Sequence, residues 1–124
     1  MDVRNVSAVR PIMEHHGTCT SWMMFHRDEL LEETEGGYLE FIDEFEVKGG
    51  EALEPHSHNS EEFYYVLYGR GIMQVEGDER DVYPGDLIHI PANSVHTIRS
   101  KSKDYPVHAL ALAITFRKKE NRKM

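Results

Sequence analysis

Residues 50–69 read GEALEPHSHNSEEFYYVLYG, and this stretch decides both the fold and the chemistry of the chain. Its informative feature is the pair His56 and His58, because side chains two positions apart in an extended strand point to the same side. Two imidazoles can then reach one point. Glu62 lies an even number of residues further on, and it adds a carboxylate on that side if the residues between do not bulge. The pattern indicates a metal site, although a histidine pair alone is weak evidence for one.

The chain around this stretch consists of short predicted strands separated by turn residues. From residue 38 onward the turn signals recur every eight to twelve residues, which is typical of an all-β sandwich or barrel. In the first third, one further strand is predicted, followed by an acidic turn or short helix at residues 28–35. The predicted strands cover residues 18–25, 38–47, 63–68, 72–76, 87–90, 95–100 and 107–116.

The histidine stretch resembles the first motif of the cupin family. That motif is a glycine, five residues, His-x-His, three residues, a glutamate, six residues and a glycine. Every position is met, by Gly50, His56, His58, Glu62 and Gly69.

Residues 85–100, GDLIHIPANSVHTIRS, resemble the second motif of the same family. Its glycine, proline and histidine are met by Gly85, Pro91 and His96. Asn93 stands where the family has a second glycine, and asparagine tolerates the left-handed backbone conformation better than most residues. Ser100 replaces a closing asparagine that binds no metal. The metal-binding histidine of the motif is therefore present.

The resemblance implies an all-β fold, a small double-stranded β-helix or jelly-roll barrel. It also implies one divalent transition metal per chain, held by His56, His58, Glu62 and His96. Three neutral imidazoles and a carboxylate leave two open positions on an octahedral ion, which suits Fe, Mn or Ni and also admits Zn. The interval between the two motifs is short, so a lid over the site is expected from the N-terminal third.

Tyr64 is the candidate catalytic residue, because it shares the even register of Glu62 and is expected to face the cavity two residues beyond a ligand. Inward tyrosines occur in cupin lyases, where a metal-bound substrate is held beside a phenol. Acid-base chemistry is the functional interpretation, and plain ring packing is the alternative. His15, His16 and His26 are expected at the surface. For His108 two placements stay open, lining the cavity or capping the sheet.

Length and composition set the domain organisation. The 124 residues suffice for one domain, and 40% hydrophobic with 29% charged residues is ordinary globular usage. A single cysteine excludes an internal disulfide and a zinc-thiolate cluster. We predict an N-terminal arm with the first strands packing on the barrel (1–37), the cupin barrel itself (38–116) and a basic C-terminal tail (117–124).

The charge distribution bears on partners and location. Residues 1–116 carry 9 basic and 21 acidic side chains, a formal charge of −12, which argues against nucleic-acid binding. No apolar run has the length of a membrane helix, and the N-terminus lacks the apolar stretch of a signal peptide. A cytoplasmic protein without a membrane partner is expected.

These observations favour a metal-dependent enzyme of the isomerase, lyase or dioxygenase type that acts on a small, oxygen-rich metabolite chelated to the metal. The alternative is a non-catalytic cupin that binds or senses a small ligand in the same cavity, because this barrel hosts many functions. A homodimer is expected, since the exposed aromatic faces of residues 38–47 or 63–68 offer an apolar patch.

Overall fold

The computed structural model describes residues 1–115 and shows two antiparallel β-sheets. The predicted basic tail, residues 117–124, lies outside the described residues, as does the last residue of the last predicted strand. The helical segments of the described chain are a 3₁₀-helix, Val6–Ala8, and α1, Arg27–Glu33. The strands are β1 (Ile12–Glu14), β2 (Cys19–Phe25), β3 (Leu39–Val47), β4 (Ser60–Tyr68), β5 (Gly71–Val75), β6 (Asp78–Val82), β7 (Leu87–Ile90), β8 (His96–Ser100) and β9 (Val107–Thr115). The all-β prediction is confirmed.

The two sheets form the walls of the predicted jelly-roll barrel. The larger sheet has the strand order β1-β2-β3-β9-β4-β7, and the smaller sheet has the order β6-β5-β8. Each sheet turns one apolar face inward, and these faces pack as one core, as in other two-sheet proteins. The buried core takes Val47, Val66 and Ile90 from the larger sheet and Met73, Val82 and Ile98 from the smaller one.

Strand β4 keeps a strict alternation of buried and more exposed residues. Ser60, Glu62, Tyr64 and Val66 are buried, and the register against β9 shifts only after Val66. No bulge therefore separates Glu62 from Tyr64, and both side chains lie on the inner face of the larger sheet.

Strand β9 is the centre of the larger sheet, between β3 and β4, and its inner face is built from alanines. Ala109, Ala111 and Ala113 are all buried. Because a methyl group fills little space between two neighbouring strands, this row leaves room on the inner wall. The small side chains allow a cavity beside the site described below.

The N-terminal third extends the larger sheet. Strand β1 pairs with β2, and β2 pairs with β3. The acidic stretch expected as a turn or short helix forms α1. Within residues 1–115 the structure contains no helix of the length and apolar character needed to cross a membrane.

The structure shows why the first motif ends in a glycine, Gly69. Its φ is +83°, and an added Cβ would lie 2.0 Å from the carbonyl oxygen of Pro106. Only glycine fits both the left-handed backbone and this close approach. Asn93, which replaces a glycine of the second motif, also has a left-handed backbone, with φ at 64°.

Candidate metal centre

Two separate segments of the chain bring the four predicted ligands together. His56 and His58 lie between β3 and β4, Glu62 lies on β4, and His96 begins β8. The backbone pairs His56 with His96 through two hydrogen bonds, His56 N to His96 O at 3.1 Å and His96 N to His56 O at 2.9 Å. A further bond, from Asn93 N to His58 O at 2.7 Å, fixes the second histidine. The main chain therefore holds the two motifs face to face.

The ligand atoms of His56, His58, Glu62 and His96 all lie within 4.8 Å of one another. Glu62 Oε1 is 3.4 Å from His58 Nε2 and 3.4 Å from His96 Nε2. A cluster of three imidazoles and one carboxylate at this spacing is the donor set expected around a single transition-metal ion.

The outward nitrogens of two ligand rings are already engaged. His56 Nδ1 donates to the carbonyl oxygen of Glu54 at 2.8 Å, and His96 Nδ1 donates to the carbonyl oxygen of Ser94 at 2.9 Å. Since a carbonyl oxygen only accepts, these bonds place the ring proton on Nδ1 and leave Nε2 with a free lone pair. Both rings are held in the tautomer that a metal requires.

Two ligand atoms of the cluster are buried without a hydrogen-bond partner in the described chain, which favours a bound cation. Glu62 is 2% exposed and His96 is 1% exposed. Glu62 Oε1 and His96 Nε2 are buried atoms that have no hydrogen-bond partner among the described residues. An orphaned buried polar atom costs about 1–3 kcal/mol, and a divalent ion between these two atoms would satisfy both.

Burial also keeps the imidazoles ready for a metal. It lowers the pKa of His56 to about 4, and it lowers the pKa of His58 despite the opposing charge of Glu62. Both rings are therefore neutral at neutral pH. Neutral imidazoles are ligands, and no proton must leave them when a metal binds.

A cavity of about 100 Å³ opens beside the four ligands. Pockets for drug-sized ligands measure roughly 300–1,000 Å³, so this smaller cavity suits a small metabolite. Besides three of the ligands, the lining includes Tyr64, Asp43 and Ala111 from the larger sheet and Glu14 and His15 from the N-terminal third.

Tyr64 lies in the wall of this cavity, packed between aromatic rings. Its ring centroid is 4.8 Å from that of Phe45 and 6.0 Å from that of His96. Burial raises the pKa of Tyr64 well above its usual range, and the charges of Glu62 and Asp43 raise it further. The phenol is therefore a neutral hydrogen-bond donor here.

Two cavity residues, Glu14 and His15, were not predicted from the sequence, and the expectation of a surface position is wrong for His15. Its half-buried ring stacks on His56, with centroids 3.9 Å apart and planes 30° from parallel. The reason is the tight turn between β1 and β2, in which His15 and His16 have φ of 51° and 58°. His16 is exposed and fixes the turn through a contact of 2.6 Å between its Nδ1 and Glu54 Oε2. The only sequence signal was the expected lid from the N-terminal third.

The remaining histidines lie away from the cavity. His108, for which two placements were open, is buried on the outer face of the larger sheet, where its Nε2 is 2.6 Å from Glu44 Oε1. His89 is exposed and contacts Glu61 at 2.5 Å. Neither histidine lines the metal centre.

Comparisons with known proteins agree with the fold and with the family indicated by the two motifs. The cupin domain family model matches residues 43–113. The chain is 30% identical to quercetin 2,3-dioxygenase of Bacillus subtilis over 77 residues, 62% of this chain and 23% of that protein. It is 36% identical to 5-nitrosalicylic acid 1,2-dioxygenase of a Bradyrhizobium species over 70 residues, 53% of this chain and 34% of that protein. The chain therefore spans about a quarter to a third of these two relatives.

Among solved structures, a predicted oxalate decarboxylase from Thermotoga maritima superimposes with a TM-score of 0.80 at 17% identity. The superposition covers 93% of this chain and all of the other. The polyketide cyclase from Streptomyces resistomycificus gives a TM-score of 0.72 at 23% identity, covering 94% of this chain and 81% of the other. At these identities the likeness concerns the fold alone. Both sequence motifs, the jelly-roll barrel and a family match over more than half of the residues lead to one conclusion: this chain is a member of the cupin family.

Proposed function

We propose that this protein is a metal-dependent enzyme acting on a small, oxygen-rich metabolite. The metal would be a divalent transition ion, Fe, Mn, Ni or Zn, held by His56, His58, Glu62 and His96. The reaction would be of the isomerase, lyase or dioxygenase type. Tyr64 would be the catalytic residue of the protein itself.

The observation that carries this proposal is the pair of orphaned buried atoms, Glu62 Oε1 and His96 Nε2. Both belong to side chains that face the other two ligands across less than 4.8 Å. Without an ion between them, this buried carboxylate and the facing imidazole would stay unsatisfied, and burying an unsatisfied polar group is costly.

When bound, the ion would act as a Lewis acid and as a template that orients substrate oxygen atoms. The chain supplies the rest. The cavity wall would exclude bulk water from one side of the substrate, and Tyr64, in the same wall, would hold a proton on its hydroxyl. A phenol kept neutral by burial donates a hydrogen bond to charge that develops on substrate oxygen, and positioned donors of this kind are a large source of catalysis.

The non-catalytic alternative would use the same cavity only to bind or sense a ligand. The enzyme is favoured by a second titratable group in the cavity wall. Burial raises the pKa of Asp43 to about 7, with Glu14 and Glu62 adding to the shift. Acids with a pKa near the working pH are concentrated at catalytic sites.

The first experiment is metal analysis of protein purified without added metal, followed by assays with small hydroxy and keto acids in an oxygen electrode. One transition-metal ion per chain and substrate-dependent oxygen uptake would identify a dioxygenase. Product formation under argon would identify an isomerase or lyase. Tight binding of a ligand without product would identify the binding module instead. Absence of stoichiometric metal, also after incubation with Fe(II), Mn(II), Ni(II) and Zn(II), would overturn the proposal.

A further inference from the structure

Asp43 is a buried carboxyl group in the cavity that the proposed chemistry does not yet use. Its side chain is 6% exposed. Ser21 Oγ donates a hydrogen bond of 2.7 Å to Asp43 Oδ2. The other oxygen, Oδ1, is buried and has no hydrogen-bond partner within residues 1–115. One half of the carboxyl group is thus fixed by the protein, the other half has no partner in the described chain, and the residue lines the cavity.

The register of the larger sheet places Asp43 at a distance from the metal ligands that a small molecule can bridge. Asp43 on β3 pairs with Ala111 on β9, and Glu62 on β4 pairs with Ala113 on β9. The two acids thus lie two strands and two residues apart, about 12 Å between main chains at ordinary strand dimensions. Between them, β9 contributes only the methyl groups of Ala111 and Ala113 to the inner wall.

The charge of the cavity restricts which group can approach Asp43. The cavity lining contains the three carboxyl groups of Glu14, Asp43 and Glu62, and no lysine or arginine of the described chain is part of it. A second carboxylate on a substrate, at the end remote from the metal, would meet like charge without a cation. Like charges in a partly buried site repel strongly, because little solvent screens them.

We propose that Asp43 forms a substrate subsite that binds a hydroxyl group at the end of the substrate remote from the metal and rejects a carboxylate there. This inference rests on the proposed function, because the metal would hold the other end of the substrate. The substrate class is accordingly a small monocarboxylic acid with a remote hydroxyl group. Asp43 is a specificity-determining residue in this scheme, fixed in orientation by Ser21.

The hydroxyl group suits Asp43 in either protonation state. An ionised Oδ1 accepts a hydrogen bond from the hydroxyl group, and a protonated Oδ1 donates one to the hydroxyl oxygen. Burial, with the nearby charges of Glu14 and Glu62, raises the pKa of Asp43 to about 7, so both states occur near neutral pH. The rejection of a carboxylate is therefore strongest above pH 7, where Asp43 is ionised, and the binding constants are compared at pH 8.5. A methyl group in the same place leaves Oδ1 unsatisfied, which is the costly case for a buried polar atom.

The test uses protein loaded with Co(II), whose visible absorption reports binding of a chelating ligand without any turnover. The probes share the chelating carboxylate and 2-hydroxyl group and differ at the remote carbon. At four carbons they are 2-hydroxybutyrate, 2,4-dihydroxybutyrate and malate. At three carbons they are lactate and glycerate. The dissociation constant of each probe is measured on wild type, Asp43→Ala, Asp43→Asn and the surface control Asp104→Asn.

We expect the hydroxylated probe to bind about tenfold more tightly than its methyl partner at one of the two lengths, the range of a hydrogen bond to a charged group. Malate should bind about tenfold more weakly than 2,4-dihydroxybutyrate. Asp43→Ala should remove the hydroxyl preference. Asp43→Asn, which keeps an accepting oxygen, should retain that preference and weaken the rejection of malate. Asp104→Asn should match wild type.

Two outcomes overturn the subsite while the proposed function stands. One is equal binding of hydroxyl and methyl probes at both lengths in wild type, and the other is a hydroxyl preference that survives in Asp43→Ala. If the protein binds no Co(II), or if no probe changes its spectrum, the proposed function fails and the subsite fails with it. Circular dichroism of both Asp43 variants shows that the comparison is made on folded protein.

Discussion

Asp43 and Tyr64 lie in the same row of the larger sheet, on the two strands that flank β9, with Ala111 between them. Both side chains are buried and face one cavity, and burial raises the pKa of both. The row therefore presents two proton-bearing groups to the space beside the metal ligands. A small residue at the centre of the row is what allows both groups to face a common substrate.

Removal of a ligand imidazole should empty the metal centre. We expect His58→Ala or His96→Ala to lower the metal content at least about tenfold, because each removes one of four protein ligands. Elemental analysis of the purified variants measures this. The matched control is His89→Ala, which deletes an exposed imidazole on the outer face of the sheet and should keep the metal of wild type. Stoichiometric metal in both ligand variants would contradict the assignment.

The raised pKa of Asp43 predicts how the stability of the metal-free protein depends on pH. The folded protein holds this proton up to a pKa of about 7, whereas the pKa of an aspartate in the unfolded chain is 3.8. Protonation therefore favours the folded state, and the stabilisation is present below about pH 4 and is lost as pH rises through 7. Between pH 4 and pH 7, the ionisation of Asp43 should lower the free energy of unfolding by roughly 1.4 kcal/mol per pH unit.

The measurement is urea unfolding of wild type and Asp43→Asn at several pH values between 4 and 8. Asparagine does not titrate, so the difference between the two curves isolates Asp43 from the other groups of this acidic chain. The free energy of wild type should fall relative to Asp43→Asn as the pH rises. A constant difference would show that Asp43 is ionised in the folded protein across the whole window.

Local spacing predicted that His56, His58 and Glu62 share one side, and that Tyr64 faces inward. The full ligand set, which includes the distant His96, was implied only by the resemblance to the two cupin motifs. Side chains two residues apart in a strand point to the same face, and no bulge between Glu62 and Tyr64 interrupts this alternation. The position of His15 over His56 could not be derived in this way. The two residues are about forty positions apart, and their contact depends on a turn of left-handed residues in which only Gly17 is a glycine.

The environment of Asp43 could not be predicted from strand alternation alone. Alternation along residues 38–47 places this aspartate on the apolar face of its strand. The pattern alone cannot tell whether such an acid is paired, faces a cavity or marks a bulge. That depends on Ser21 on the neighbouring strand and on the alanines of β9, which are contacts between distant parts of the sequence. His108 stayed open for the same reason.

The last glycine of the first motif should be far less replaceable than a glycine with similar backbone angles elsewhere. Gly69 and Gly77 have φ of +83° and +85°, but an added Cβ meets Pro106 only at Gly69, and nothing lies within 4 Å at Gly77. We expect Gly77→Ala to cost about 1–2 kcal/mol through backbone strain alone. Gly69→Ala should cost several kcal/mol more, measured by urea unfolding. Equal losses would refute the close approach.

The homodimer remains a prediction, and the structure locates a candidate surface for it on the outer face of the larger sheet. Tyr65 on β4 lies opposite Leu87 on β7, and these side chains are 42% and 66% exposed. Light scattering at micromolar concentration should give twice the chain mass. Leu87→Lys should shift the protein toward monomer, because a charge in an apolar interface is costly. A wild-type mass of one chain would refute the dimer.

Tyr64→Phe is the sharpest test of the proposed catalytic residue, because it removes one hydroxyl group from a ring whose packing against Phe45 is otherwise kept. Burial raises the pKa of Tyr64 well above its usual range, so the phenol is neutral in the metal-free protein. The variant should retain the fold and the metal. Turnover should fall about 10²-fold, within the range of positioned acid-base groups.

The matched control is Tyr65→Phe, which removes the same hydroxyl group from the next residue, on the outer face of the strand. It should leave turnover unchanged. A similar loss in Tyr65→Phe would show that removing any phenol from β4 lowers turnover. Because the loss concerns a group that stabilises developing charge, kcat should fall more than KM changes. Wild-type turnover in Tyr64→Phe with intact metal would reduce Tyr64 to a packing residue and make Asp43, in the same cavity wall, the next candidate for a proton-bearing group.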